Sequence, residues 1–172
     1  MRIHTCALTL VALTSLAGSA AAQAPAAGGF ADVVKAARAH PGCLGVETGQ
    51  MANGRRVIFA WFENKKSLVA WYHSEAHQKA VKMAYPDQTF DREALPDTPD
   101  GTGPILTIVS LKLSDAPRPG AGGLPIASIG IELYTPLPGG VAVGGSFAPD
   151  AVASNVRGLR HIAIDPAPSP SR

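Results

Sequence analysis

Residues 55–86, RRVIFAWFENKKSLVAWYHSEAHQKAVKMAYP, predict a strand that leads into an amphipathic helix. In residues 55–62, β-branched and aromatic side chains alternate at period two and leave apolar groups on both faces, as in a strand that is covered on both sides. Asn64 follows as a candidate N-cap, because its side-chain oxygen can accept a hydrogen bond from the first helical turn. Beyond it, apolar residues recur at helical spacing on one face: Leu68, Trp71, Tyr72, Ala76 and Ala80.

The first 22 residues have the pattern of a secretory signal peptide. Arg2 gives the basic start, an apolar run covers residues 6–16, and small residues at 18–22 provide a cleavage site. The apolar run is too short to span a bilayer as a stable anchor. We therefore predict export to the periplasm or to the outside of the cell, with a mature chain that begins near Gln23 and makes no membrane contact.

Removal of this segment leaves about 150 residues, enough for one domain with its own core. Because only Arg2 is lost from the 15 basic and 13 acidic residues, the mature chain has 14 basic and 13 acidic side chains. This balance argues against a polyanionic partner, so we expect no nucleic-acid binding. Cys43 is the only cysteine of the mature chain and is either a free thiol or an intermolecular bridge. A small buried core residue is the favoured interpretation.

The pattern along the chain divides it into elements and segments. Asn53-Gly54 is a strong hairpin signal and predicts antiparallel pairing of the strands on either side. The predicted elements are a helix at 30–39, strands at 43–50, 55–62 and 104–113, and two further strands at 126–134 and 141–147. The predicted segments are a signal peptide at 1–22, a linker at 23–29, an α+β domain at 30–115, a Pro/Gly linker at 116–123, a C-terminal β-hairpin extension at 124–165 and a disordered tail at 166–172.

Two short motifs carry a resemblance to a known family. Residues 40–46 read HPGCLGV in a turn between helix and strand, and residues 70–78 read AWYHSEAHQ on the next helix. With the order of the strands, these motifs resemble the antibiotic biosynthesis monooxygenase superfamily over about residues 30–114. The resemblance implies an α+β fold of ferredoxin-like type with an antiparallel sheet. It also implies a dimeric α+β barrel and hence a homodimer.

The chain departs from this family at its start. Members normally open with a strand before the first helix, whereas here the linker runs directly into that helix. Residues 126–134 are the candidate replacement for the missing strand. In that arrangement Ile129, Ile131 and Leu133 would face the core, and Glu132 and Tyr134 would lie on the other face.

The family name implies a cofactor-independent oxygenase that acts on a quinol or another phenol, which is a small apolar or aromatic molecule. Such a reaction needs an enclosed apolar pocket, aromatic side chains that hold a planar ring, and a base near the hydroxyl group. The candidate substrate-binding residues are Trp61, Trp71 and Tyr72, and the candidate catalytic residues are His73, His77 and Trp71. No cofactor is implied. The competing interpretation places the aromatic side chains in the core, where they commonly pack.

Three alternatives were weighed against this function. Haem degradation is disfavoured, because that branch places a His ten positions after the helical Trp, and Val81 stands there after Trp71. His73 and His77 have the i, i+4 spacing of a zinc pair, but Glu75 would lie about 200° around the helix and no third ligand is evident. No metal is therefore assigned. A non-catalytic dimer that binds a small ligand, or a structural dimer, is the alternative to an enzyme.

Overall fold

The computed structural model of the protein describes residues 29–86, 93–114 and 126–164. The predicted signal peptide, the linker up to residue 28, the linker at 116–123 and the tail at 166–172 lie outside these residues. No helix in the described ranges is long and apolar enough to cross a membrane. The elements are α1 (Phe30–Arg38), β1 (Cys43–Gln50), β2 (Arg56–Phe62), α2 (Lys65–Tyr72), α3 (Glu75–Ala84), β3 (Ile105–Leu113), β4 (Ile126–Tyr134), β5 (Val141–Val143), α4 (Asp150–Ala153) and β6 (Arg160–Ile162).

The four longer strands form one antiparallel sheet in the order β1-β2-β3-β4. The predicted hairpin between β1 and β2 is confirmed, and Gly54 in its turn has a φ of 81°, which favours glycine. Arg55 links three strands, because its guanidinium group donates to Ser110 Oγ at 3.1 Å and to Ser128 Oγ at 3.3 Å. The predicted α+β fold of ferredoxin-like type is therefore confirmed, although the sheet does not close into a barrel within one chain.

Strand β4 is the segment expected to replace a missing opening strand. It pairs only with β3, so it lies at the edge of the sheet. Its residues Ile129, Ile131 and Leu133 lie opposite Leu111, Val109 and Thr107 and share their face, as predicted. However, Ile131 and Leu133 remain 58% and 39% exposed. They are exposed because α1 packs on β1 and α2 on β2, and no described helix makes comparable contact with β3 or β4.

The predicted single helix after Asn64 is in fact two helices. Asn64 caps α2, as predicted, by accepting from the backbone N–H of Ser67 at 3.0 Å. The helix then breaks at His73, and Ser74 begins α3 by accepting from the backbone N–H of His77 at 3.3 Å. The break has a local cause, since a Ser hydroxyl can replace a helical backbone acceptor for the first turn of a new helix.

The helices and the sheet enclose the main core. Phe62 at the end of β2 is fully buried, with Leu68 and Trp71 of α2 packed in the same cluster. Ala37 of α1 and Ile105 of β3 complete its sides. This core therefore lies under the part of the sheet that the helices cover.

Residues 141–162, here called the C-terminal segment, cover part of the opposite face of the sheet, over β1 and β2. Phe147 packs edge-on against Phe59 of β2, with ring centroids 5.0 Å apart. Pro149 lies so close to Gly45 of β1 that a Cβ atom there would be 2.5 Å from Pro149 Cγ. Val152 of α4 is fully buried in the segment. The second face is thus covered over β1 and β2, whereas Tyr134 of β4 on the same face stays 49% exposed.

The predicted hairpin between residues 126–134 and 141–147 does not form. β4 belongs to the main sheet, whereas β5 is only three residues long and pairs in parallel with β6. The connection between β4 and β5 contains Pro136 and Pro138, which lack backbone donors, and Gly139 and Gly140 at positive φ. The chain consequently leaves the sheet after Tyr134 and passes to its other face.

Candidate functional site

A cavity of about 450 Å³ lies between the three long helices and the sheet. Alternate residues of β2 form part of its floor, and the same face of β3 and β4 extends it. The roof comes from one side of α1, α2 and α3. Nearly all of the lining is hydrocarbon, with representative side chains Phe30, Val34, Phe62, Leu68, Val109 and Ile129. This volume is within the range of pockets that bind small organic ligands.

An aromatic cluster lines the cavity where α2 ends and α3 begins. Trp71 lies edge-on to His77, with ring centroids 5.5 Å apart, and the ring of Tyr72 is 5.3 Å from that of His77. His40, which follows α1, contacts the other side of Trp71 at 5.5 Å. Trp71, Tyr72 and His77 all line the cavity. The helix break positions this cluster, because it places the first turn of α3 beside the last turn of α2.

His77 is held in one tautomer. Its Nδ1 atom is 2.9 Å from the backbone carbonyl oxygen of Tyr72, to which Gln78 Nε2 also donates at 2.6 Å. Because a carbonyl oxygen only accepts, Nδ1 carries the proton and Nε2 retains the lone pair. Burial lowers the pKa of His77 below 6.5, against a smaller opposing effect of the Tyr72 carbonyl, and nearby His73 lowers it further. The imidazole is thus neutral at neutral pH and can accept a proton.

The remaining candidate residues lie elsewhere. His73 is the exposed C-cap of α2 and does not line the cavity. Trp61 lies on the opposite face of the sheet, because side chains alternate along β2 and it is Ala60 and Phe62 that face the cavity. There Trp61 is paired across the strands with Gly45, and its indole nitrogen is buried without a hydrogen-bond partner in the described structure. The structure therefore brings together Trp71, Tyr72 and His77, but not Trp61 or His73.

Sequence reasoning missed three polar residues of the lining, Gln78, Tyr85 and Thr107. Gln78 shares the Tyr72 carbonyl with His77 and so fixes the local backbone of the helix break. Thr107 is a buried residue of β3, and its hydroxyl group has no hydrogen-bond partner among the described residues. One signal was available for it, since Thr107 interrupts the apolar face of β3 between Ile105 and Val109.

The helix break also bears on the zinc alternative. His73 ends α2 and His77 lies in the first turn of α3, so the two do not share one continuous helix face. Within residues 29–86, 93–114 and 126–164, no group of three or more His, Cys, Asp and Glu side chains is placed to hold a metal ion. The zinc alternative required His73 and His77 to lie on one face of a single helix, and the structure does not have this arrangement.

An open antiparallel sheet with helices on one face is the arrangement of a ferredoxin-like α+β domain, and here an apolar cavity lies between the helices and the sheet. Residues 10–83 match the model of the antibiotic biosynthesis monooxygenase family, the family that the two sequence motifs resemble. The match starts inside the predicted signal peptide and ends in α3, so β3 and β4 lie beyond it. No curated protein and no solved structure matches the chain.

Proposed function

We propose that the protein is an exported, cofactor-independent monooxygenase that acts on a quinol or another phenol. The observation that supports this most directly is the neutral His77 imidazole, with its Nδ1–H held by a carbonyl, beside Trp71 and Tyr72 in an apolar cavity. An aromatic ring fits against such side chains, and an imidazole that is neutral at neutral pH is in the form that accepts a proton. The apolar lining keeps water from competing with dioxygen.

In this proposal His77 Nε2 takes the proton of the phenolic hydroxyl group. The resulting anion is electron-rich and transfers electrons to dioxygen, so that a carbon–oxygen bond forms at a ring carbon. The oxygen–oxygen bond then breaks, and one oxygen atom stays on the ring while the other leaves as water with the proton from His77 and the hydrogen of that carbon. A quinol and dioxygen thus give a hydroxyquinone and water, with the substrate as the only reductant.

A second candidate is a non-catalytic protein that binds the same class of ligand. The hydrocarbon character of most of the lining favours it, because such a lining binds an apolar molecule without help from His77. The two candidates differ in what removal of the base does. If the protein is an enzyme, replacement of His77 should abolish turnover and leave most of the affinity for the ligand. If it is a binding protein, the same replacement should leave the affinity for the ligand unchanged.

The test is oxygen uptake by the purified protein with a panel of quinols and phenols, with product mass followed in air and under anaerobic conditions. We expect oxygen-dependent incorporation of one oxygen atom per turnover. His77→Gln should reduce the rate by about 10²- to 10⁴-fold, as for loss of a general base, and Trp71→Ala should weaken substrate binding. His161→Gln, an exposed histidine of the C-terminal segment, is the matched control. If the folded protein takes up no oxygen with any of these substrates, the monooxygenase proposal is wrong and ligand binding is the remaining candidate function.

Export and self-association are part of the same proposal. The signal-peptide pattern supports a periplasmic or secreted protein, and the N-terminal sequence of protein recovered from cells should then start near Gln23. A homodimer is supported by the two edge strands β1 and β4, whose outer backbone groups are left to pair with another chain. Light scattering measures the assembly directly, and a monomer at micromolar concentration would contradict the dimer.

A further inference from the structure

The cavity is larger than a single aromatic ring requires. A simple quinol has about eight non-hydrogen atoms of roughly the size of a water molecule, and so occupies on the order of 200 Å³. The cavity measures about 450 Å³. A ring held beside Trp71 and His77 therefore leaves about half of the space for something else, and that space is lined by hydrocarbon.

Most of the polar lining residues lie at one end of the cavity, and the exception is Thr107 of β3, which is paired with Leu133. Tyr72, His77, Gln78 and Tyr85 lie on α2 and α3 or directly after them, and α2 packs over β2. Strand β4 contributes only aliphatic side chains to the lining: Ile126, Ile129, Ile131 and Leu133. Two strand spacings, roughly 10 Å, separate β2 from β4. The cavity thus runs from a polar, aromatic end to an aliphatic end.

The aliphatic end is also the open end. Ile131 and Leu133 line the cavity and yet are 58% and 39% exposed. No described helix contacts β4 to the extent that α1 contacts β1, and these side chains form an apolar rim at the edge of the sheet. An apolar ligand that extended over this rim would remove it from water.

We propose that the natural ligand is a phenol or quinol that carries a hydrocarbon tail. The ring lies beside Trp71 and His77, and the tail follows the aliphatic side chains of β3 and β4 and leaves past Ile131 and Leu133. The position of the ring rests on the proposed function, whereas the path of the tail rests on the volume, the polarity and the open end of the cavity. This assigns a tail-binding role to β4, which lies outside the part of the chain that matches the family.

The experiment measures anaerobic binding of a series of hydroquinones with no substituent and with methyl, butyl, octyl and dodecyl substituents to the full-length protein. Each buried methylene group contributes about 0.8 kcal/mol, so affinity should rise roughly three- to fourfold per methylene until the tail passes the rim. Affinity that does not change with tail length would overturn the proposal.

Three variants locate the tail. Ile131→Ser and Leu133→Ser should weaken binding of the octyl and dodecyl compounds by about tenfold and leave hydroquinone unchanged. Tyr134→Ser is the matched control, because Tyr134 is an exposed large side chain of the same strand on the opposite face. It should bind every compound as the wild type does. Equal losses for short and long compounds in Ile131→Ser would contradict the path of the tail.

Two further outcomes are distinguishable. If Ile131→Ser and Leu133→Ser lower the apparent mass in light scattering without changing tail dependence, a second copy of the chain covers the rim and the proposal is wrong. If tail dependence is found but oxygen uptake is not, the monooxygenase fails and the tail site stands. If unsubstituted quinols are turned over but affinity does not depend on tail length, the monooxygenase proposal stands and the tail site is wrong.

Discussion

The two faces of the sheet use the same strands and are covered in different ways. On one face, Ala60 and Phe62 of β2 meet three helices, which leave a cavity that opens beside β4. On the other, Phe59 and Gly45 meet the C-terminal segment at van der Waals contact. Alternation along a strand supplies apolar side chains to both faces equally. The cavity therefore arises from the way this face is covered, because the described helices pack mainly on β1 and β2 and make less contact with β3 and β4.

Removal of a core side chain from the helix-covered face should have the largest effect on stability. Phe62→Ala deletes a fully buried side chain and should lower the free energy of unfolding by about 3–5 kcal/mol. Phe147→Ala, on the C-terminal segment, removes a 58% exposed ring and the edge-on contact with Phe59, a loss of about 0.5–1.5 kcal/mol. Denaturant unfolding measures both. Equal losses would mean that the two faces contribute equally.

A side chain added on β1 should displace the C-terminal segment from the second face of the sheet. Gly45→Ala places a methyl group within 2.5 Å of Pro149 Cγ and should cost about 1–3 kcal/mol as the C-terminal segment shifts. Gly49→Ala is the control on the same face of β1, because its nearest neighbour, Phe59 Cε2, is 4.0 Å away. Its effect should stay within about 0.5 kcal/mol. Faster proteolysis after residue 134 in Gly45→Ala alone would locate the shift; similar behaviour of both variants would argue against close packing there.

The buried His77 side chain should make stability depend on pH in the acidic range. Burial lowers the pKa of His77 in the folded chain, so between pH 6.5 and that lower value the unfolded chain binds more protons. Stability should therefore fall as the pH drops through this window, and be fully present above about pH 6.5. His77→Gln should remove this part of the slope. His161→Gln on the C-terminal segment should keep it, and denaturation midpoints at a series of pH values compare the three proteins.

The smallest effect is expected at Cys43, where α1 leads into the sheet. Burial raises the pKa of this thiol, against smaller opposing effects of the Gly45 carbonyl and Arg38. At about pH 8 the folded protein should react with a thiol reagent more slowly than the same protein in denaturant. Stability from the protonated thiol should be lost as the pH rises above 9.0, the value for an unperturbed thiol. Equally fast labelling of folded and unfolded protein would show an accessible thiolate.

Local signals in the sequence predicted much of the fold and part of the site. Asn64 and Asn53-Gly54 act through side chains and turns a few residues away, and both were identified correctly. Trp71, Tyr72 and His77 came together because they lie close in the sequence. Trp61 was misplaced, since a strand that is apolar on both faces does not tell which face the helices cover. The break at Ser74 was missed because the apolar spacing continues through it.

The parts that could not be predicted depend on long-range pairing. Thr107 and Ile131 line the cavity only because β3 and β4 add to the sheet in a given order and register. A one-residue change of register would turn both to the other face. The packing of the C-terminal segment on the second face depends on the absence of a side chain at Gly45, which in the sequence is only one glycine of a predicted strand. Its importance comes from Pro149, more than a hundred residues away.

The position of the C-terminal segment restricts how copies of this protein can meet. A second molecule that approached the sheet from the side away from the helices would contact Phe147 and Pro149 before it reached β1 or β2. Face-to-face stacking of two bare sheets is thereby blocked by the chain itself. Among the described residues, the outer backbone groups of β1 and β4 have no neighbouring strand. A second chain can therefore pair with either edge, whereas a flat surface is kept off β1 and β2 on the face that Phe147 and Pro149 occupy.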